Sequence, residues 1–220
     1  MIKIQTVFRT VLLCTFSVLL INCNKDDVDV TTPSWNYSTF TDIRDGKTYK
    51  SIKIGNQEWM AENLAFETVN GSWNAGGSET YGEKYGRLYT WEAAKMSVPS
   101  GWHLPTDSEW KELEKSIGMS QIDADDINFR GLDEGAKLKS TTGWPENGNG
   151  IDNVGFFALP GGFRSNSGTF FVCSWYGYWW TSSESDSSNA WFRSTVYHKS
   201  KIYRNQSFKE DGYSVRCIKD

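Results

Sequence analysis

Histidine is scarce in this chain of 220 residues: only His103 and His198 occur. They are far apart, and neither lies within three or four residues of another strong nitrogen or sulfur ligand. That spacing argues against a zinc site and makes His103 a packing or hydrogen-bonding residue. No Gly-x-Ser-x-Gly elbow is present, so no catalytic residue is assigned, and no cofactor or metal is expected. An excess of positive charge is missing too. Lys and Arg number 23 against 27 Asp and Glu; without residues 1–22, which hold Lys3, Arg9 and no acid, the formal charge is −6. Nucleic acid and an anionic bilayer are therefore poor candidates for the main partner. No repeat is visible. The one long apolar run, Val11 to Ile21, is too short to cross a bilayer as a mature helix.

What is abundant is aromatic surface, 15% of residues with 11 Trp and 12 Phe, alongside 20 Gly and much Ser and Asn. Such a chain packs around tryptophans in a loop-rich β architecture. Its organising stretch runs from Gly101 to Gly118. Thr106 and Glu109 form a capping box, Pro105 and Trp110 occupy the staple positions, and Trp110, Leu113 and Ile117 make one inward stripe. Lys111, Glu112, Glu114 and Lys115 are expected in water, and Gly118 ends the helix.

Along the chain, a basic start and the apolar run read as an export signal over residues 1–22. Leu20-Ile21-Asn22-Cys23 resembles a lipobox, which implies acylation of Cys23 and anchoring to the outer membrane. Lys25-Asp26-Asp27 resembles the surface-export signal of Bacteroidota lipoproteins, which implies a face toward the cell exterior. Residues 23–39 read as the acylated cysteine and a flexible tether, because they hold few apolar residues. The folded domain is expected over 40–220. Asp45-Gly46 and Gly55-Asn56 mark two opening hairpins, with Ile52 and Ile54 on one face. Residues 67–84 read as loop, Tyr89 to Met96 as a short helix, and Asp133 to Leu138 as a helical turn. From Phe156 onward strands alternate with turns: Phe156 to Leu159, Gly162 to Arg164, Tyr178 to Ser182, Ala190 to Tyr197, Ile202 to Phe208 and Tyr213 to Ile218. The class is α+β, with two short helices early and a twisted antiparallel sheet late.

Several motifs together carry a resemblance: Gly101-Trp102-His103-Leu104-Pro105-Thr106 through Glu109-Trp110, Trp59 to Leu64, Gly86 to Trp91, Leu138-Lys139-Ser140 to Trp144, and Val215 to Asp220. In this order the chain resembles the Fibrobacter succinogenes major paralogous domain family over roughly residues 40 to 220. The resemblance implies a C-type-lectin-like fold with long loops, related to the formylglycine-generating enzymes, and paired N- and C-terminal strands. No activity is established for that family as a whole.

Three sets of residues remain as chemical candidates. With Cys14 and Cys23 in the leader, Cys173 and Cys217 are a pair that either bridges or does not. A bridge would close 44 residues and add about 3–4 kcal/mol; otherwise Cys217 is a small buried residue of the last strand and Cys173 a loop residue. Neither aligns with the copper-binding cysteines of the formylglycine-generating enzymes, so the resemblance does not imply an oxidase. Asp123, Asp125, Asp126, Asn128 and Glu134 have calcium-loop character, but Ile127 and Asn128 occupy the wrong positions, which leaves a solvated acidic loop. Trp144-Pro145-Glu146-Asn147 likewise has the wrong order for calcium-bridged sugar binding. Trp73, Trp144, Trp175 and Tyr176, all in Gly-, Asn- or Ser-rich stretches, are the ligand candidates, because indole and phenol faces stack on sugar rings without a metal. Trp59, Trp91, Trp102, Trp110 and Trp191 are expected in the core. The functional expectation is non-catalytic binding of an extracellular glycan or protein. An oxidase-like enzyme and an adhesion module without a small ligand are the alternatives.

Overall fold

A computed structural model describes residues 34–171 and 174–220. The signal segment, Cys23 and Cys173 lie outside the described residues. Trp35 and Tyr37, inside the stretch expected as tether, pack against the core. The Trp35 indole lies so close over Gly155 that a Cβ there would meet it at 2.9 Å.

The first strands are β1 (Ser38–Thr41), β2 (Thr48–Ile54) and β3 (Gln57–Met60), joined by the two anticipated turns. Between β2 and β3 only Gly55 and Asn56 intervene, and Gly55 takes φ +60°, as a two-residue hairpin turn demands. Next come β4 (Ser72–Asn74), a 3-10 turn at Ala75–Gly77 and α1 (Glu79–Tyr85). Here the loop expected over 67–84 is corrected: the Ser78 hydroxyl accepts the Tyr81 N–H and starts a helix. The chain continues through β5 (Arg87–Tyr89), α2 (Trp91–Ser97, capped by Thr90) and β6 (Trp102–His103) into α3 (Asp107–Ser116). The Thr106 and Glu109 capping box of α3 is complete in both directions.

Beyond α3 lie α4 (Gln121–Asp125), β7 (Asn128–Arg130) and α5 (Glu134–Leu138). The described residues thus hold five short helices rather than two. Phe156 to Leu159 is no strand. It makes one bridge, Lys139 to Ala158, because the Phe156 and Phe157 carbonyls turn instead to the buried Arg216 guanidinium. The late strands are β8 (Phe163–Arg164), β9 (Phe170–Phe171), β10 (Tyr176–Glu184), β11 (Asn189–Val196), β12 (Ile202–Phe208), β13 (Tyr213–Ser214) and β14 (Ile218–Lys219).

These strands form a five-stranded sheet in the order β1-β2-β3-β14-β6, a seven-stranded sheet in the order β4-β5-β13-β10-β11-β12-β7, and a β8-β9 hairpin. All strand pairs are antiparallel except β10 with β13. Ile218 opposite Trp59 joins the end of the chain to its opening hairpins. Adjacent tryptophans on β10 show how the seven-stranded sheet is buried, since successive side chains point to opposite faces. Trp179 joins Trp59, Trp110 and Phe156 under α3, while Trp180 joins Trp91 and Ala94 of α2, and both indoles are buried. Each also donates its N–H, Trp179 to Asn63 Oδ1 and Trp180 to the Tyr89 carbonyl. Trp102 is buried as expected; Trp191 is only half-buried and carries the Arg204 guanidinium 3.8 Å from its ring centre.

The stripe of Trp110, Leu113 and Ile117 faces inward, but Glu114, expected in water, is fully buried. Arg193 and Arg130 meet it there, and Asp107 at the helix start binds Arg193 and Arg204. Burial alone would raise the Asp107 carboxyl, yet the two guanidinium groups hold it well below the usual range. α3 is thus clamped to one face of the seven-stranded sheet by charge as well as by apolar packing. Among the described residues no helix is long and apolar enough to cross a membrane.

Candidate functional site: an aromatic groove on the seven-stranded sheet

α3 covers one face of the seven-stranded sheet, and Tyr178 and Trp180 stand on the other. α2 shields it only near Trp180. Farther out, toward β12 and β7, the face is open as a groove of about 360 Å³. Its floor is buried and consists of Phe192, Ser194 and Val196 of β11 with Tyr213 of β13. Its walls are Tyr176 and Tyr178 of β10, Tyr203 of β12 and Phe129 of β7, of which Phe129 is 39% exposed. Strand alternation explains the composition: Tyr176, Tyr178 and Trp180 share one side of β10, and Phe192, Ser194 and Val196 share the matching side of β11.

The rings tile the surface. Tyr176 stacks on Tyr178 at 5.9 Å, Tyr178 on Tyr213 at 5.0 Å, and Phe129 leans on Tyr203 at 4.9 Å. Their hydroxyls face a polar fringe, with the charges of Asp211 behind Ser207 and of Lys199 beside Phe129. Asn205 Nδ2 donates to the Tyr203 hydroxyl (2.9 Å) and to Asn128 Oδ1 (3.1 Å), and the Tyr213 hydroxyl donates to Ser207 Oγ (2.9 Å). Burial pushes the Tyr178 phenol up to about 12 and Tyr213 higher still, so both keep their protons at neutral pH. The groove therefore presents neutral rings and neutral hydrogen-bonding groups on a rigid sheet. A larger hollow of about 500 Å³ lies between the 66–71 loop and α2, but its rim is the free surface of Val69 and Met96 rather than a built wall.

Of the four ligand candidates read from sequence, Tyr176 lines the groove. Trp175, one residue earlier, is 37% exposed and packs edge-on against Tyr197 at 4.8 Å. Trp73 belongs to β4 and supports the Arg164 guanidinium at 3.8 Å. Trp144 is 6% exposed, its indole N–H donates to the Ala158 carbonyl at 3.0 Å, and it offers no face to a ligand. It pins its own loop, together with Lys139, whose ammonium donates to the carbonyls of Gly148, Val196 and Tyr197. The four are thus not brought together. Tyr178, Tyr203, Phe129 and Tyr213 line the groove without having been among the candidates, although the alternation of β10 already placed Tyr176 and Tyr178 on one side.

Other candidates resolve into structural roles. Cys217 is fully buried, and burial pushes its thiol well above the usual range. His103 bridges Asp220 through Nδ1 at 2.7 Å and Glu109 through Nε2 at 2.9 Å. The acidic run is already engaged: Asp123 takes the Ser120 hydroxyl, Asp125 takes Lys111 and Gln121, and buried Glu134 takes the Leu132 N–H.

The scaffold, antiparallel except for β10 with β13, has few helices and an open aromatic face, and its class is α+β. Sequence comparison assigns it further. A family model, the Fibrobacter succinogenes major domain, matches residues 52–219, and the chain belongs to that family. No curated protein and no solved structure matches the chain.

Proposed function

We propose that this chain is a surface-anchored bacterial lipoprotein whose lectin-like domain binds a glycan or a protein outside the cell, without chemical turnover. The observation that carries this reading is the uncharged aromatic groove over Ser194, walled by Tyr176, Tyr178, Tyr203 and Phe129. Aromatic surface left open on a rigid sheet is the usual means of recognising a ligand by stacking. The anchor rests on the sequence, with residues 1–22 as the export signal, Cys23 as the acylated residue and Lys25-Asp26-Asp27 directing it outward. Pairing of the opening hairpins with the last strand supports the lectin-like assignment. The oxidase alternative would require an accessible cysteine pair, and the buried Cys217 speaks against it.

The test joins both halves. Cells making the full chain should incorporate a clickable fatty acid into it, and Cys23→Ser should abolish the label. Intact cells should capture an extracellular ligand through the chain, and Tyr178→Ala with Tyr203→Ala should lose that capture while the far-ultraviolet circular dichroism stays unchanged. A lipidated chain whose binding ignores both tyrosines would sink the groove as the site. An unlabelled chain would sink the anchor.

A further inference from the structure

The strand register lays out the groove residue by residue. Phe129 on β7 stands opposite Tyr203 on β12, Tyr203 opposite Ser194 on β11, and Ser194 opposite Tyr178 on β10. One row therefore crosses four strands and places the smallest side chain between two tyrosines. Neighbouring strands are about 4.8 Å apart, so the Tyr178 and Tyr203 backbones flank Ser194 at a separation of about 9.6 Å. Phe192 supports both rings from the next position along β11, 5.7 Å from Tyr178 and 6.0 Å from Tyr203. The result is a shallow slot with aromatic sides, in whose base Ser194 is buried within hydrogen-bond reach of the Tyr178 phenol.

We infer that this slot takes neutral pyranose rings of a glycan chain, one ring lying over Ser194 between Tyr178 and Tyr203. This rests on the groove being the binding surface. A pyranose presents C–H groups on its faces and hydroxyls around its edge, which matches aromatic walls fringed by the Tyr203 hydroxyl, Asn205 and Asn128. None of the groove's lining residues is charged. A uronate or sulfated sugar would lose water around its anion with no counter-charge at the slot to offset the loss. Lys199 lies 5.7 Å from the Phe129 ring, at the far end of the row from Tyr178. A peptide strand cannot insert along the row, because the backbones of these four strands pair with each other there, and their one free edge among the described residues is the outer side of β7, beyond Phe129.

The full chain, purified in detergent, would be titrated calorimetrically with neutral gluco-, galacto-, manno- and xylo-oligosaccharides, with oligogalacturonate and with a polyproline peptide. At least one neutral oligosaccharide should bind, with little dependence on salt. Tyr203→Ala should weaken it about fivefold, the loss of one ring stack. Ser194→Leu, which fills the slot, should abolish it, and Tyr178→Ala serves if that variant misfolds. Binding of oligogalacturonate or polyproline alone, sensitive to Tyr203→Ala, would overturn the neutral-sugar class yet keep the groove. Neutral-sugar binding indifferent to both tyrosine variants would overturn the groove itself. Silence from every neutral oligosaccharide would overturn the inference.

Discussion

Arg193 Nε lies 2.7 Å from Glu114 Oε1, with both side chains closed off from solvent. Arg130 Nη2 approaches the same carboxylate at 2.7 Å, so one buried anion serves two buried cations from β11 and β7. Removing that anion leaves Arg130 without a counter-charge in a medium that cannot hydrate it, and Arg193 with Asp107 alone. Glu114→Gln should lower the unfolding free energy by about 3–5 kcal/mol. Urea melts followed by tryptophan fluorescence would measure it, and an unchanged midpoint would mean water reaches the cluster.

Glu114 also shows what could be read from the sequence. It stands four residues after Trp110 and three before Ile117, so helical periodicity already placed it on the inward face. Its charge argued for water, and nothing local announced Arg193, 79 residues away. Local signals were legible for the same reason that distant ones were not. The capping box and the hairpin turn at Gly55 are complete within four residues. The helix at Glu79–Tyr85 was masked because Gly82, a poor helix former, falls inside it. The groove joins Phe129 to Tyr213, 84 residues apart, and its shape depends on strand register, which a single sequence does not contain. Tyr176 emerged as a candidate because it sits beside a loop. Tyr178, two residues on, had no such flag.

His103 makes stability depend on pH. Burial alone would lower its pKa, but the hydrogen bonds to Glu109 and Asp220 outweigh burial and raise it. The native state therefore keeps a proton that the unfolded chain releases. The stabilisation is full below about pH 6.5, the ordinary value for histidine, and is lost as pH rises through the native value. His103→Gln should flatten this decline in thermal midpoint between neutral and mildly alkaline pH. An identical slope in both proteins would show that the two carboxylate contacts do not hold the proton.

Asp152 acts in a lower window. Burial raises its carboxyl to about 6, against which the Phe157 N–H and the Arg216 charge pull down only in part. Because the native value lies above the unfolded one, this group stabilises most below about pH 4 and less as pH climbs through 6. The carboxylates of Asp107 and Glu109, held low, have the opposite slope. Asp152→Asn should thus gain stability relative to the parent as pH is raised from about 4 to 7, read as the difference in urea midpoints. A difference constant across that range would place the Asp152 titration near its ordinary value.

Trp144 and Trp175 look alike in sequence, each in a loop of small polar residues, yet their surroundings assign opposite consequences to the same substitution. The Trp144 ring is enclosed, has Lys139 Nζ 5.2 Å from its centre, and gives its N–H to Ala158. Its removal leaves a cavity, while the Ala158 carbonyl keeps the Ser140 N–H, so Trp144→Ala should cost about 3–5 kcal/mol. Trp175 rests on Tyr197 with water on its other side, and Trp175→Ala should cost about 1 kcal/mol. Neither contributes a ring to the slot over Ser194. Once Trp144→Ala is studied below its melting temperature, both variants should bind ligand as the parent does. A stable Trp144→Ala that had lost binding would show that this indole turns outward to meet the ligand.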